Sequence, residues 1–416
     1  MEEKYENAKE ILKKYGQEHL LLKYNSLNEE DKKVLIEQIT KIDFEQILEL
    51  YEDTKKEVAL GEEKIEPISH IDKEKISEEE KQKYITLGEN AIRNGELAFV
   101  TMAGGQGTRL GHKGPKGTFE LGVEGNKTLF EIICDTLKEG SSKYGVVIPW
   151  YLMTSKENNK DTVDFFEKKG YFGYPKEAVH FFVQGELPMI DTNGKILLDE
   201  TGKIKEAADG HGGIFESLAK SASLEDMQKR GVKWIFVGGV DNPLVKMVDA
   251  LIIGYSIDNG FLATGKSLVK VSPEEKVGVF CKKNGRPSVI EYTEISKEMA
   301  ELCNEEEELV YGEGHVLMNL FNIKSLEQIA KNKLPYHSAF KKAKYISQTG
   351  EVVEPESPNA YKFESFIFDA FSRLEDMGIL RVIREEEFAP VKNANGVDSP
   401  ETARELYNNY QKNKRN

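Results

Sequence analysis

The segment whose residues could do the most chemistry is a glycine-rich loop, residues 104–111, with the sequence GGQGTRLG. It follows an apolar run, residues 97–102, of the kind that forms a strand buried on both faces. Four glycines in eight residues let the backbone adopt positive φ values, so that its N–H groups can close around an anion. Arg109 and Lys116 add two positive charges, and both side-chain types bind phosphate oxygens well. The pattern predicts a pocket for a nucleoside triphosphate.

An ordinary glycine-rich turn with solvated cations is the alternative interpretation of this segment, because glycine motifs recur by chance. The spacing of Gly105, Gly107 and Gly111 fits neither the Rossmann fingerprint nor the Walker motif. The strand before the loop and the two cations after it favour the anion pocket over the plain turn.

A second segment, residues 260–267, has the sequence GFLATGKS and matches the P-loop pattern of kinases and other NTPases letter for letter. A P-loop leaves a strand and opens a helix. This segment instead follows a predicted helix over 243–258 and leads into a predicted strand over 268–271. The P-loop hypothesis is therefore disfavoured and is kept as an alternative.

The composition is that of an acidic protein. The 416 residues carry 57 Lys and Arg against 72 Asp and Glu, a net charge of −15, which argues against general binding to nucleic acid or to anionic membranes. The N-terminus is too charged for a signal peptide, and the sequence has no apolar run that approaches the length of a membrane span. Widely spaced cysteines make neither a zinc cluster nor a disulfide framework. We expect a cytoplasmic protein with buried structural thiols at Cys134, Cys281 and Cys303.

Residues 1–95 are predicted to form helices that make up an N-terminal helical domain, because apolar residues recur there at helical spacing. Ser26 and Ser77 each stand three residues before a glutamate, which is the spacing of a capping box and indicates a helix start. The polar stretch 53–70, which contains Gly61, is predicted to be a linker.

From residue 96 onward predicted strands and helices alternate, which implies an α/β fold with a mostly parallel sheet and helices on both faces. Such sheets bind ligands at the carboxyl ends of their strands. We expect a central domain over 96–350 and a C-terminal region over 351–416 that contributes phosphate-binding lysines. The predicted strands cover 97–102, 146–153, 179–183 and 234–237, the helices 129–138 and 158–169, and a hairpin turns at Asn284-Gly285 between 277–281 and 288–292.

Polar residues follow two of the predicted strands. Gln184 comes directly after the strand 179–183, and an amide offers both the donor and the acceptor that a uracil edge requires. Asp241 follows the apolar run 234–240, and a carboxylate beside phosphates is the kind of ligand that Mg²⁺ prefers. Taken alone, each of these side chains is more typical of an ordinary turn.

Two further groups of polar residues could receive a sugar or a nucleotide. Residues 210–213, GHGG, are predicted to open a helix whose free N–H groups can bind polar atoms of a ligand. Glu291 and Asn319 carry groups that can hold sugar hydroxyls. A polar residue at a helix start or a strand edge is the alternative interpretation of His211 and Asn319.

Two lysines near the C-terminus complete the set. Lys362 precedes a predicted amphipathic helix over 363–371. Lys392 stands in a Pro-stiffened loop, residues 388–394, of the kind that presents a side chain. Either lysine, taken alone, is more typical of a solvated surface residue.

The loop GGQGTRLG followed by PKG resembles the nucleotide-binding signature of the eukaryotic-type UDP-sugar pyrophosphorylases, and the likeness is closest to the UDP-N-acetylhexosamine pyrophosphorylases. The resemblance implies a Rossmann-like, GT-A-like nucleotidyltransferase fold with a mostly parallel mixed sheet, an N-terminal helical region and a small C-terminal α/β region. It also implies an enzyme that forms UDP-sugar and pyrophosphate from UTP and a sugar 1-phosphate with Mg²⁺. Further matching blocks lie at residues 184–188, 210–213, 240–242, 291–292, 362–364 and 388–394.

The same resemblance implies a role for individual residues. Arg109, Lys116 and Lys392 are implied to be catalytic, and Asp241 is implied to bind the metal. The residues implied to bind the nucleotide are Ala103, Gly104, Gly105, Gln106, Gly107, Thr108, Lys116, Gln184, Gly210, Asp241 and Lys362. The residues implied to bind the sugar phosphate are His211, Glu291, Tyr292, Asn319 and Lys392.

One position departs from the family pattern and leaves the sugar open. N-acetylhexosamine enzymes usually have asparagine where this chain has His211, whereas UDP-glucose enzymes have histidine. The blocks GGQGTRLG, VDN and VKNA favour N-acetylglucosamine 1-phosphate as the substrate, ahead of the N-acetylgalactosamine and glucose 1-phosphates.

In the implied reaction an oxygen of the sugar 1-phosphate attacks the α-phosphorus of UTP in line and expels pyrophosphate. A phosphate monoester is mostly dianionic at neutral pH, so the reaction needs no general base. Catalysis then consists of aligning two anions and offsetting their repulsion with cations.

Two alternatives belong to other classes. A P-loop kinase would release ADP from ATP and lose activity on Lys266→Ala, a change that the uridylyltransferase should tolerate. A non-catalytic sensor would bind the sugar nucleotide without forming pyrophosphate. In every case we expect no nucleic-acid or membrane partner, and a monomer or a weak homodimer.

Overall fold

A computed structural model describes residues 1–56 and 63–415 of the chain. The middle of the predicted linker, including Gly61, lies outside the described residues. The helices are α1 Glu2–Tyr15, α2 Glu29–Lys41, α3 Phe44–Asp53, α4 Glu78–Arg93, α5 Leu129–Tyr144, α6 Asn159–Lys168, α7 Ile214–Lys220, α8 Ser223–Lys229, α9 Ala250–Asn259, α10 Lys297–Glu301, α11 Ile323–Ala330, α12 Arg384–Glu387 and α13 Pro400–Arg415.

The strands alternate with these helices over much of the chain. They are β1 Ile65–Pro67, β2 Ile71–Asp72, β3 Leu97–Met102, β4 Trp150–Thr154, β5 Val179–Val183, β6 Glu186–Pro188, β7 Ile190–Asp191, β8 Glu206–Ala208, β9 Trp234–Gly239, β10 Ala263–Val269, β11 Val279–Lys283, β12 Arg286–Ile290, β13 Glu313–Asn322, β14 His337–Lys341, β15 Tyr345–Ile346, β16 Val352–Val353, β17 Ala360–Glu364 and β18 Gly378–Arg381.

The chain divides into two compact units. The helical unit contains the described residues of Met1–Gly61, Gly185–Gly213 and Leu334–Phe366, and the sheet unit contains those of Glu62–Gln184, Ile214–Lys333 and Ile367–Asn416. These boundaries differ from the predicted ones near residues 95 and 350, because each unit joins segments that are far apart in sequence. The predicted division into three domains stays a prediction.

The sheet unit is organised around a mixed, mostly parallel sheet with the strand order β2-β18-β10-β13-β9-β3-β4-β5. Strand β13 is antiparallel to both β10 and β9, and the other neighbours on this path run parallel. The hairpin β11–β12 joins the sheet at the contact between Val279 and Gly314. The predicted mostly parallel α/β sheet is confirmed.

The central strands form because their sequences are continuous apolar runs. All six residues of β3 and of β9 are buried, as expected of strands covered by helices on both faces. The predicted bounds of β3 and β5 are confirmed to the residue. The hairpin at Asn284-Gly285 is also confirmed, with φ values of 52° and 78° that a type I′ turn requires.

The helical unit has its own apolar core. Leu12 and Ile36 come from α1 and α2, and they pack in one cluster with Ile190 and Phe363 from later segments. Phe363 explains one wrong prediction: the segment after Lys362 was expected to be a helix over 363–371. It forms β17 instead, because Phe363 is buried in this core and its strand pairs with β14 and β7. Only Ile367–Arg373 is helical, as a 3₁₀ helix.

Helix ends show how side-chain choice sets the boundaries. The predicted start of α4 is confirmed, because the Ser77 side chain accepts the N–H of Glu80. The predicted capping box at Ser26 is wrong: Asn28 caps α2 by accepting the N–H of Asp31 at 2.8 Å.

Two further expectations are corrected by the fold. The helix predicted over 243–258 is shorter and begins at Ala250, because the Asp249 side chain caps its first turn. Cys134 and Cys281 are buried as predicted, but Cys303 is exposed. Within the described part of the chain, none of the helices combines the length and the apolar character that a membrane span needs.

Candidate active site

The glycine-rich loop leaves the carboxyl end of β3 and folds back on itself. The N–H of Gly107 donates to the carbonyl of Gly114 at 2.9 Å, and the N–H of Lys116 donates to the carbonyl of Gly105 at 3.0 Å. Between these two bonds residues Thr108–Leu110 make one 3₁₀ turn. The loop is therefore a closed backbone ring, which is the kind of structure that can cradle an anion.

Asn158, which the sequence analysis did not single out, supports the base of this loop. Its amide Nδ2 donates to the carbonyl of Ala103 at 2.9 Å and to that of Gly105 at 3.3 Å, and the residue is fully buried. The sequence signal was an asparagine at the start of α6, which is ordinarily interpreted as a helix cap. No capping bond from its side chain is found there, because Oδ1, the atom that would accept a capping N–H, accepts the N–H of Ser155 at 2.9 Å, while Nδ2 donates to the loop.

Gln184 lies at the same edge of the sheet as the loop. Strands β3, β4 and β5 are parallel, so the segments that follow β3 and β5 emerge on one side. A Cβ placed on Gly104 would lie 3.0 Å from Oε1 of Gln184. The absence of a side chain at residue 104 thus allows the Gln184 amide to sit directly against the loop.

Lys116 and Asp241 meet at this edge. Lys116 Nζ lies 3.9 Å from Asp241 Oδ2, with the two side chains 17% and 27% exposed. The same Nζ donates to the carbonyl of Val391 at 3.2 Å. Val391 in turn donates its N–H to the carbonyl of Asp241 at 2.8 Å. The structure therefore brings Lys116, Asp241 and the residue before Lys392 into direct contact.

Lys392 lies in an irregular segment after α12, consistent with the predicted loop. Its Nζ is 3.7 Å from Asp398 Oδ2 and its side chain is 47% exposed, while the ammonium also lies 5.5 Å from the centre of the Phe388 ring. Arg109 is exposed on the 3₁₀ turn of the glycine loop. Both cations can therefore reach a ligand from solvent.

Two of the predicted site residues carry buried oxygen atoms with unused hydrogen-bonding capacity. Oε1 of Gln106 and Oδ1 of Asn319 have no hydrogen-bond partner within the described part of the chain. Leaving a buried acceptor unpaired costs about 1–3 kcal/mol. A ligand that donates a hydrogen bond to each of these atoms would remove that cost.

Asn319 lies in the middle of the sheet, on β13. It is fully buried, stands opposite Gly265 and Val237 in the neighbouring strands, and its Nδ2 lies 3.2 Å from Nε2 of His315. Glu291 and Tyr292 follow β12 directly, and Tyr292 is 45% exposed.

The remaining predicted residues belong to the helical unit. Gly210 has a φ of 85°, and a Cβ there would lie 2.2 Å from the carbonyl oxygen of Ser365, so both its conformation and its surroundings require glycine. The His211 ring lies 5.4 Å from the Phe366 ring. Lys362 Nζ lies 2.7 Å from Glu364 Oε1.

The prediction that residues 210–213 open a helix is confirmed, because α7 begins at Ile214. The N–H groups of Gly212 and Gly213 are already used within the protein, since they donate to the carbonyls of Ser365 and Gly210 at 2.9 and 3.1 Å. Asp209, a residue that sequence analysis missed, is buried beside this turn. A Cβ on Gly213 would lie 2.4 Å from its Oδ1, so the glycines make room for a carboxylate.

The P-loop hypothesis fails on the position of Lys266. The segment 260–267 follows α9 through Gly260 and is followed by no helix, as predicted, but the strand begins before the predicted residue 268: β10 covers Ala263–Val269 and includes Lys266. The Lys266 ammonium is fully buried and lies 2.6 Å from both Asp249 Oδ2 and Glu387 Oε2. A lysine held in this way cannot reach a nucleotide.

The glycine loop, the Gln184 amide and the Asp241 carboxylate come after the carboxyl ends of β3, β5 and β9 in a mostly parallel sheet. This arrangement is an α/β nucleotidyltransferase-like fold. The family described as UTP–glucose-1-phosphate uridylyltransferase matches residues 42–403, and the chain belongs to this family. The resemblance to the UDP-sugar pyrophosphorylases and the predicted class of enzyme, a UTP:sugar-1-phosphate uridylyltransferase, are confirmed.

Individual relatives agree with this assignment. UDP-N-acetylglucosamine diphosphorylase 2 of Arabidopsis thaliana is 37% identical over 419 residues, which cover 95% of this chain and 82% of that protein. UDP-N-acetylglucosamine pyrophosphorylase of Saccharomyces cerevisiae is 35% identical over 426 residues, or 96% and 89% of the two chains. The crystal structure of the Trypanosoma brucei UDP-N-acetylglucosamine pyrophosphorylase in complex with an inhibitor superposes with a TM-score of 0.82 at 30% identity and covers 97% of this chain and 84% of that one.

Proposed function

We propose that this protein joins UTP and N-acetylglucosamine 1-phosphate into UDP-N-acetylglucosamine and releases pyrophosphate. The observation that carries the proposal is the contact of Lys116 with Asp241 and Val391 beside the glycine loop. It provides a cation, a carboxylate and a backbone ring in one place, which is what the transfer of a nucleotidyl group between phosphates requires. The names of the relatives direct the proposal to the N-acetylglucosamine substrate.

In the proposed reaction, an oxygen of the sugar phosphate forms a bond to the α-phosphorus of UTP. The bond from that phosphorus to the bridging oxygen of the β-phosphate breaks, and pyrophosphate leaves with the electron pair. The attacking phosphate is already mostly dianionic at neutral pH, so no side chain has to remove a proton. Lys116, Arg109 and Lys392 stabilise the charge that develops on the phosphates.

Asp241 is the proposed ligand of Mg²⁺. Its carboxylate is partly exposed beside Lys116, and the described residues contain no cluster of three or more metal-binding side chains. A single carboxylate fits Mg²⁺, which in nucleotide sites usually keeps several waters and takes its other ligands from substrate phosphates. When bound, the ion would neutralise phosphate charge.

The nucleotide and the sugar are assigned to different groups of residues. For the nucleotide we propose the loop residues Ala103 to Thr108, with Gln184 for the uracil. Within the helical unit, Gly210 and Lys362 are the residues that the family resemblance implies for nucleotide binding. For the sugar phosphate we propose Glu291, Tyr292, Asn319, His211 and Lys392. The unpaired, buried Oδ1 of Asn319 supports a sugar contact, because hydroxyl groups can donate to it.

His211 favours a second candidate substrate, glucose 1-phosphate. UDP-glucose enzymes have histidine where this chain has His211, and the family that matches the chain is described by its glucose substrate. The imidazole packs near Phe366, so its size and position would decide how much room an N-acetyl group finds.

A pyrophosphate-release assay with UTP and each of three sugar 1-phosphates tests the proposal. We expect the highest kcat/KM with N-acetylglucosamine 1-phosphate, a lower value with the N-acetylgalactosamine compound, and the lowest with glucose 1-phosphate. Highest activity with glucose 1-phosphate would establish the second candidate instead. Binding of UDP-sugar without any pyrophosphate formation would identify the non-catalytic sensor.

The cellular location, the absence of nucleic-acid and membrane partners and the oligomeric state are proposed from the composition of the chain. Widely spaced cysteines suit a reducing cytoplasm, and a net charge of −15 does not favour binding to nucleic acid or anionic membranes. We propose a monomer or a weak homodimer, and light scattering of the purified protein over a range of concentrations measures that state.

A further inference from the structure

The main chain that leads to Lys392 is attached to the end of β9 at three points. The N–H of Val391 donates to the carbonyl of Asp241 at 2.8 Å. The N–H of Ala389 donates to Oδ1 of Asn242 at 3.0 Å, and Nδ2 of Asn242 donates to the carbonyl of Glu387 at 2.7 Å. Two of these three bonds therefore come from one side chain, that of Asn242.

The chemistry of an amide explains why asparagine serves at this position. Its oxygen accepts and its nitrogen donates, so one side chain can bind the carbonyl of residue 387 and the N–H of residue 389 together. Asn242 is 4% exposed, and its Oδ1 also accepts the N–H of Leu244 at 3.2 Å, which fixes the direction of the amide. Aspartate would keep the acceptor and lose the donor.

The other end of the segment is anchored by a buried ion pair. The Glu387 carboxylate is fully buried, 2.6 Å from Lys266 Nζ and 3.4 Å from Lys73 Nζ. Lys266 is held in turn by Asp249. Buried pairs of this kind resist displacement, because breaking one leaves an unpaired charge inside the protein. The segment that Asn242 holds thus starts from a fixed point.

We propose that Asn242 is a positioning residue for the uridylyl-transfer reaction. By holding residues 387–391 against the end of β9, its amide places Lys392 and the Val391 carbonyl, which accepts from Lys116, beside Asp241. Asn242 acts through these groups and is not assigned a contact with substrate. The inference rests on the proposed function, because Lys392 matters only if the site binds phosphates.

The first test compares Asn242→Ala, Asn242→Asp and Lys392→Ala. A displacement of about 1 Å can cost about 100-fold in rate, so we expect Asn242→Ala to lower kcat by about 10- to 100-fold with little change in the KM for UTP. Asn242→Asp keeps the shape and the acceptor but puts a carboxylate oxygen against the Glu387 carbonyl in place of the donor, so it should lower kcat as well, and a wild-type kcat in this variant would contradict the role of the donor. In the Lys392→Ala background, Asn242→Ala should cause a clearly smaller fold-loss than in the wild-type background, since the part of its effect that acts through Lys392 is already gone and only the part that acts through Val391 and Lys116 is left.

A purely structural role gives a different result. The losses from Asn242→Ala and Lys392→Ala would then multiply in the double variant, and that outcome would overturn the proposal. Asn322→Ala is the matched control, because it removes an asparagine that caps α11 by accepting the N–H of Lys324 in the same unit. We expect the control to leave kcat unchanged.

A second measurement does not depend on activity. Hydrogen exchange of the amides of Ala389 and Val391 should accelerate in Asn242→Ala and stay slow in Asn322→Ala. Unchanged exchange in both variants would overturn the anchoring role even if the enzyme is active. If the wild-type protein releases no pyrophosphate with any sugar 1-phosphate, the proposed function fails, and faster exchange at both amides in Asn242→Ala would still support the anchoring itself.

Discussion

Replacing Lys116 with alanine is expected to separate substrate binding from catalysis. The substitution removes an ammonium that lies 3.9 Å from Asp241 Oδ2 and 3.2 Å from the Val391 carbonyl. It leaves the loop closed, because the bond from residue 116 to Gly105 comes from the main chain. The change is therefore one of charge rather than of loop structure.

The magnitude follows from where that charge acts. In the free protein Asp241 already offsets much of it, since unit charges about 4 Å apart interact by about 4 kcal/mol at an effective dielectric constant near 20. The Lys116 ammonium lowers the energy of the reaction mainly when additional negative charge develops on the transferring phosphates, which Asp241 does not offset. Removing one preorganised group that stabilises such charge typically costs about 10²–10³ in kcat, or about 2.7–4 kcal/mol.

The assay is steady-state pyrophosphate release as a function of UTP at saturating sugar 1-phosphate. We expect Lys116→Ala to lower kcat by about 10²–10³ and to raise the KM for UTP by less than about tenfold. Lys113→Ala is the matched control, since Lys113 is an exposed lysine of the same segment and should behave like wild type. A variant with a raised KM and a kcat within about twofold of wild type would show uniform binding and refute the reasoning.

Three further predictions concern buried groups. Lys266→Ala removes the lysine that pairs with the buried Asp249 carboxylate and the nearest partner of Glu387, so it should lower the free energy of unfolding by about 3–5 kcal/mol, measured by urea titration. Unchanged stability would contradict this prediction. The expectation from sequence that a uridylyltransferase tolerates the change concerned activity and did not include this ion pair. Burial alone would raise the pKa of Asp249, but the Lys266 ammonium outweighs it and holds that pKa below its ordinary value. The stability that Asp249 contributes should therefore be present above pH of about 4 and be lost as the pH falls through the lowered pKa. Urea titrations at successive pH values measure this loss, and Asp249→Asn should show a smaller loss over the same acid range. Asn319→Ala removes an unpaired buried oxygen together with the Nδ2 contact to His315. It should raise the KM for the sugar phosphate by about tenfold, as expected for one lost hydrogen bond of about 1.4 kcal/mol, and a lower melting temperature with unchanged KM would assign Asn319 to the core.

The sequence predicted the structure correctly where that structure depends on residues that are adjacent along the chain. The bounds of β3 follow from an uninterrupted apolar run, and the turn at Asn284-Gly285 follows from two residues that tolerate positive φ. The P-loop match at residues 260–267 could also be set aside on local grounds, because a helix precedes it and a strand follows it.

Long-range contacts could not be predicted in the same way. Lys362 was expected before a helix, but pairing with β14 and burial of Phe363 make the segment a strand, so tertiary packing outweighed the helical spacing of its apolar residues. The supporting roles of Asn158 and Asn242 also escaped notice. Each binds main-chain atoms far away in sequence, and an asparagine near a helix or a turn has a simpler local explanation.

The position of β18 has a consequence for how the protein is made. This strand, residues Gly378–Arg381, pairs on one side with β2, which comes early in the sequence, and on the other side with β10. The segment that Asn242 binds, residues 387–391, comes later in the sequence than β18. A nascent chain on the ribosome therefore cannot complete this sheet or assemble the phosphate-binding edge until nearly all of it has been synthesised. Premature termination anywhere before residue 378 should yield an open sheet with an unpaired strand edge, which is a surface prone to aggregation, rather than a partially active enzyme.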